Sequence, residues 1–185
     1  MKKNLIIFIL IMLTSFLISA SNIITIVNIN MDGSENLLSY PADTKEFIFF
    51  NGDSKPYKTT KLKGLEKLKE LEVLRFYNLA FVKDYSFLKD VSKTCKELSF
   101  RGCYFYGFDN ISHLTNLEEI VIDGCYWTEE QYNALVKTGI DLSSFPKIKS
   151  FSIRVRIGDE RGWSYCSAIE IKHTKKMKRE FGKVT

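Results

Sequence analysis

Residues able to carry chemistry are scarce in this chain of 185 amino acids. It holds two histidines, His113 and His173, which leaves few places for a general base or an activated nucleophile. His113 stands beside Leu114 as a turn residue, and His173 sits in a charged chain end. A Cys166–His173 pair there would lack a rigidly held base and an orienting partner. No two of the four cysteines show the short Cys-x-x-Cys spacing of a zinc site. There is no glycine-rich phosphate loop. Glu118-Glu119 and Glu129-Glu130 are adjacent pairs, whose side chains diverge on a strand or a helix. Neither pair has the geometry of a two-carboxylate hydrolase. The sequence therefore reads as non-enzymatic, with no cofactor and no metal site. An exported hydrolase built on Cys166 or His173 is the rival from that class.

What is abundant is a repeated phrase. Cys95-Lys-Glu-Leu98-Ser-Phe100-Arg-Gly-Cys103-Tyr-Phe105 is followed 22 residues later by Leu117-Glu-Glu-Ile120-Val-Ile122-Asp-Gly-Cys125-Tyr-Trp127. Apolar residues fall at positions 1, 4, 6 and 11, and cysteine at 9. A looser copy runs from Leu71 through Leu74, Phe76 and Leu79 to Phe81. Two degenerate copies centre on Phe47 and Phe49 and on Phe151 and Ile153. A fixed period of this size indicates stacked units, each burying its apolar face on its neighbours. Positions 4 and 6 alternate with variable positions 3, 5 and 7, the signature of a half-buried strand. Strands separated by 20 to 30 residues suit parallel pairing through crossovers better than hairpins. The returns carry helix-like spacing, as in Leu62, Leu65, Leu68 and Leu71, or Phe87, Leu88, Val91 and Cys95. The longest return opens with Thr128-Glu-Glu-Gln131, a capping-box pattern, continues with Tyr132, Leu135 and Val136, and stops at Gly139.

This pattern resembles the leucine-rich repeat family, whose signature is L-x-x-L-x-L-x-x-N/C-x-L, with Cys103 and Cys125 at its N/C position. The resemblance covers residues 44–157 and implies an α/β solenoid. Its curved parallel β-sheet would lie on the concave side, with short helices or irregular returns on the convex side. It also implies that Cys103 and Cys125 face inward, while Cys95 occupies buried position 1. Neighbouring strands lie about 4.8 Å apart, within disulfide reach, although parallel side-chain directions disfavour a bridge. Free buried thiols and at least one disulfide remain alternatives for the four cysteines.

The chain ends bound its location. Met1-Lys2-Lys3, the apolar run Leu5–Ile18 and Ser19-Ala20-Ser21 read as a secretory signal peptide over residues 1–20. Read together with Ile23–Ile29, the run is long enough to anchor in a bilayer uncleaved. Both versions imply export, and membrane contact follows only from the second. Residues 21–43 form an N-terminal cap, with Ile23–Ile29 as a strand protecting the first repeat. Residues 158–185 form a C-terminal cap and basic tail. The formal charge is +5. Residues 170–185 carry six basic against two acidic side chains, a net +4, so the basicity is local. Such a tail is a solvated end or a weak contact with an anionic surface. No nucleic-acid reading module appears.

Positions 5 and 7 are expected to point away from the core. Position 5 reads Ile48, Arg75, Ser99, Val121 and Ser152; position 7 reads Phe50, Tyr77, Arg101, Asp123 and Arg154. Aromatics and arginines dominate interface energies, and solenoids bind on this surface. Phe50, Arg75, Tyr77, Arg101, Asp123 and Arg154 are therefore the candidate contacts for a protein ligand. Against this stand an Arg101–Asp123 pair that is merely structural, and a Phe50 covered by the N-terminal segment. Tyr104 and Tyr126 form an alternative aromatic edge. An envelope-associated structural protein, held by its hydrophobic start or basic tail, is the rival function.

Overall fold

The computed structural model describes residues 22–51, 59–79, 85–104, 108–138, 141–159 and 162–166. The strands in chain order are β1 (Ile23–Asn30), β2 (Glu35–Pro41), β3 (Glu46–Phe50), β4 (Thr59–Lys63), β5 (Val73–Tyr77), β6 (Glu97–Arg101), β7 (Glu119–Trp127), β8 (Ser150–Asp159) and β9 (Gly162–Cys166). The described residues also include one α-helix, α1 (Glu129–Thr138), and 3-10 turns at Leu65–Lys67, Ser86–Asp90 and Asp109–Ile111. The hydrophobic start, Phe105, Gly139, His173 and the basic tail lie outside the described residues. No helix among the described residues is long and apolar enough to cross a membrane.

The five apolar phrases form five parallel strands, in the order β3-β5-β6-β7-β8, with β9 antiparallel on β8. Their register is the one that the phrases predict. Position 4 runs straight across the sheet as Phe47, Leu74, Leu98, Ile120 and Phe151, and position 6 as Phe49, Phe76, Phe100, Ile122 and Ile153. The side-chain period of two sends both rows to one face. All of these residues are buried except the partly buried Ile153. The backbone repeats as faithfully as the side chains. The carbonyls of Lys45, Glu72, Lys96 and Glu118 each accept two N–H groups from the start of the next strand, at 2.7–3.1 Å.

The returns depart in part from expectation. As short or irregular returns they fit, but the helix-like spacing marks 3-10 turns at Leu65–Lys67, Ser86–Asp90 and Asp109–Ile111. Their apolar residues recur every third position: Leu65, Leu68, Leu71; Ile111, Leu114, Leu117; Leu142, Phe145, Ile148. Three residues per turn is the 3-10 period. Successive i→i+3 bonds join each series, as in Leu114 N–H to Ile111 O (2.9 Å) and Leu117 N–H to Leu114 O (3.1 Å). The capping box forms as read. The Gln131 amide donates to Thr128 Oγ1 (3.2 Å), and the Thr128 amide donates to Gln131 Oε1 (2.9 Å). Helix α1 starts at the next residue and accounts for the long return.

Position 8 bends the three central strands, ending β5 and β6 and kinking β7. Asn78, Gly102 and Gly124 all adopt left-handed backbone, at φ 59°, 62° and 60°. At Gly124 the β7–β8 register slips, and Val155 comes to lie beside Cys125. The last copy, whose apolar pattern breaks at Arg154-Val155-Arg156, thus supplies its own buried residue opposite position 9. Thiols fill the middle of that row. Cys103 Sγ approaches Phe76 O (3.6 Å), and Cys125 Sγ approaches Phe100 O (3.4 Å), the same contact one strand further on.

Cys95, Cys103 and Cys125 are free and buried, which removes the disulfide alternative for these three. Burial pushes the Cys95 thiol up to about 12. Burial, with Cys103 alongside, also raises Cys125 well above the ordinary thiol value. The thiolate is the reactive form. A thiol reagent at neutral pH is therefore expected to leave Cys95 and Cys125 unmodified in the native chain. At Cys103 burial raises the pKa, but hydrogen bonds, that with Cys125 foremost, lower it overall, so this thiol is shielded by its complete burial alone. All three should label in denaturant. Peptide mapping of the labelled sites checks this, and native labelling of Cys103 would contradict its burial.

The N-terminal residues form a second sheet, antiparallel and ordered β2-β1-β4. The strand expected over Ile23–Ile29 is β1, but its partners were not foreseen. One of them, β4, lies inside the 44–157 stretch yet pairs with β1. Ile26 and Leu62 join the main core, and the Tyr40 ring sits 5.1 Å from that of Phe47. This sheet covers the buried end of β3. It does not cover Phe50, which is 61% exposed.

Candidate functional site

The face opposite the core carries positions 3, 5 and 7, and its side chains fall into zones. At the strand starts, Glu46 and Glu97 flank Arg75 on the intervening strand. Arg75 donates to Glu97 through Nε (2.6 Å) and Nη2 (3.0 Å), and to Glu46 through Nη1 (2.8 Å). Donating to Glu97 raises the guanidinium pKa above its already high ordinary value. Arg75 was expected as a partner contact. Its charge is instead committed within the sheet, and Glu119 lies one strand beyond Glu97 in the same row.

Position 7 crosses the strand ends as Phe50, Tyr77, Arg101, Asp123 and Arg154, all direct register partners. The Phe50 and Tyr77 rings lie 6.3 Å apart, with Ile48 46% exposed beside them. Asp123 stands between two arginines. Its Oδ1 accepts from Arg154 Nε at 2.6 Å, while the nearest Arg101 nitrogen is 4.0 Å from Oδ2. The Arg101–Asp123 pair anticipated from the sequence is thus loose, and Arg154 is the closer partner. Pairs as exposed as these contribute little to stability, about 0–1 kcal/mol.

Position 5 is not uniformly outward. Ser99, between Arg75 and Val121 in the same row, is only 1% exposed, and its Oγ has no hydrogen-bond partner. A serine is too short to clear larger neighbours on both sides and sinks beneath them.

Two features escaped the sequence reading. Position 2 alternates in charge as Lys45, Glu72, Lys96, Glu118 and Lys149. Lys96 and Lys45 pair with Glu72, and Lys149 pairs with Glu118. Hydrogen bonds from Lys96 and Lys149 lower the pKa values of Glu72 and Glu118 respectively. A groove of about 390 Å³ runs along this edge, lined by Lys45, Glu72, Thr94, Lys96, Glu118 and Lys147 among others. Sign alternation at one phrase position was the available signal. The second feature is the acidic row at position 3, Glu46, Glu97 and Glu119, which was legible by the same column-wise reading.

The alternative aromatic edge also assembles. Tyr104 and Tyr126 lie 5.3 Å apart, and the Arg156 guanidinium sits 5.5 Å over the Tyr126 ring. His113 binds the Val91 carbonyl oxygen at 3.1 Å. Among the described residues no three His, Cys, Asp or Glu side chains gather as metal ligands. No protein-family model, no curated protein and no solved structure gives a significant match to this chain.

Proposed function

We propose that the chain is an exported, non-enzymatic leucine-rich repeat protein that binds a protein partner on the outward, concave face of its parallel sheet. The repeat reading is supported by the in-register rows at positions 4 and 6, the two-bond carbonyls at position 2, and the three-residue returns. The binding reading rests on one observation above all. Phe50 (61% exposed), Ile48 and Tyr77 form an uncovered aromatic–apolar patch on the open face of the sheet. Beside it stand two arginines whose side chains are about half exposed or more. Adjoining exposed apolar and aromatic side chains are a common mark of interaction surfaces, and a shallow sheet face suits a protein better than a small molecule. Phe50, Tyr77, Arg101, Asp123 and Arg154 make the contact, and Arg75 holds the strand starts in place.

Crosslinking capture with the full chain, against a variant carrying Tyr77→Ala and Arg101→Glu, is expected to lose at least one specific partner in the variant. Retention of every captured partner would refute the assignment of this face.

A further inference from the structure

The zoning of this face specifies the partner's chemistry, an inference that rests on the reading of the sheet as the contact surface. In the row Arg101, Asp123 and Arg154, two guanidinium groups share one carboxylate. Arg154 takes the close position, with Nε and Nη2 each 2.6 Å from Asp123 Oδ1. Arg101, its side chain 49% exposed, is left 4.0 Å from Oδ2, beyond hydrogen-bond distance. The strand ends therefore carry one net positive charge, and it resides mainly on Arg101. On this face positions 3 and 5 at the strand starts carry the opposite sign, although position 2 beside them sets Lys45, Lys96 and Lys149 against Glu72 and Glu118. Glu46 and Glu97 share the single cation Arg75, and Glu119 adds a further negative charge. An anion approaching the sheet is repelled from one end of the strands and drawn to the other.

The cation does not stand alone. Arg101 is the direct register neighbour of Tyr77, and Tyr77 of Phe50. At about 4.8 Å per strand, Phe50 and Arg101 are separated by roughly 10 Å, close to three residues of extended chain at about 3.4 Å each. Beside Arg101, Ser99 Oγ is buried without a partner in the same face. A bilayer or a single-stranded nucleic acid can also use exposed aromatic side chains, but each presents a continuous anionic surface, which the acidic row Glu46, Glu97 and Glu119 on the same face repels. A polypeptide satisfies both zones.

We infer that the surface accepts an extended acidic segment of a protein partner, laid across the strands along position 7. An apolar side chain of that segment rests on Ile48, Phe50 and Tyr77, and a carboxylate about three residues away pairs with Arg101. The carboxylate accepts hydrogen bonds from the guanidinium in a charge-assisted, planar pairing. The flanking Arg154–Asp123 pair fixes the cation's neighbourhood.

A displayed library of random dodecapeptides tests this, selected on the full chain. The enriched peptides are then synthesised and titrated by fluorescence anisotropy against the full chain, Arg101→Gln and Tyr77→Ala. Melting temperatures confirm that the variants are folded. The expected peptides carry Asp or Glu two to four residues from an aromatic or aliphatic residue. Replacing that acid by its amide, or Arg101 by Gln, should weaken binding about tenfold or more, and the two changes together should cost little more than either alone. Peptides that depend on Tyr77 but lack the spaced acid would overturn this inference while leaving the contact face in place. Peptides indifferent to both residues would overturn both readings. Failure to enrich any peptide would overturn the inference, as would Arg101-dependent binding of phosphatidylserine vesicles or a dA20 oligonucleotide in place of peptides.

Discussion

Phe100→Ala is expected to lower the stability of the folded chain by about 3–5 kcal/mol. Phe100 sits on β6, the middle of the five parallel strands, and is fully buried. Its ring stacks 5.4 Å from that of Phe76, and the Tyr85 ring meets it edge-on at 5.5 Å. Truncation leaves a cavity whose walls include Phe76 on β5 and Tyr85 at the start of a 3-10 turn, two separately held segments, so collapse around it is limited. Aromatic pairs of this geometry add about 0.5–1.5 kcal/mol beyond area burial, and the change removes at least these two. For a chain of this size the melting temperature should fall on the order of 10 °C. Phe100→Leu keeps most of the volume but loses the same ring pairs, and should cost less than Phe100→Ala, about 1–3 kcal/mol. Urea unfolding of both variants checks the pair. A loss below about 1 kcal/mol in Phe100→Ala would contradict the burial of this ring.

The second large effect is expected at Gly64, between β4 and the first 3-10 turn. Its φ is 96°, in the left-handed region, and an added Cβ would lie 2.8 Å from the carbonyl oxygen of Thr25 on β1. Backbone strain alone costs about 1–3 kcal/mol. The clash adds to it because a strand carbonyl in a ladder cannot swing aside as a side-chain tip would. Gly33 separates the two terms: its φ is 81°, yet an added Cβ meets nothing within 4 Å. Gly33→Ala should therefore cost only the strain, and Gly64→Ala clearly more. The damage should be local at first, since β1 has to move away. Hydrogen exchange in Gly64→Ala is expected to speed up at Ile26–Ile29 before it does at Leu74, Leu98 or Ile120. Equal losses in the two variants would show that the close approach of Thr25 to Gly64 is unimportant.

The sheet was legible because its code is periodic and redundant. Five phrases in common phase specify which residues face inward, and register follows because a one-residue slip would turn every apolar side chain outward. The capping box was legible because Thr128 and Gln131 interact within one turn. The 3-10 returns were misread because a three-residue apolar spacing overlaps helical i,i+3 spacing, and only the hydrogen bonds separate the two. The antiparallel N-terminal sheet was largely illegible. The segments that form β1, β2 and β4 carry no copy of the phrase, and their pairing depends on contacts distant in sequence. On the outward face the sequence supplied the residue types but not their partners. Arg75 could be placed at position 5, but nothing in its phrase says that Glu46 and Glu97 reach it from the strands on either side.

By itself, then, the sequence determined the inward rows, their parallel stacking and which letters were left to face out. It could do so because strand alternation is a local rule that five copies repeat. The tertiary structure decided how the outward charges are shared. Ion pairing at a surface depends on side-chain reach between neighbouring strands, and phrase position does not encode that reach. It therefore took the folded chain to show Arg154 on Asp123, Arg101 left 4.0 Å away, Ser99 sunk between its neighbours and Phe50 uncovered.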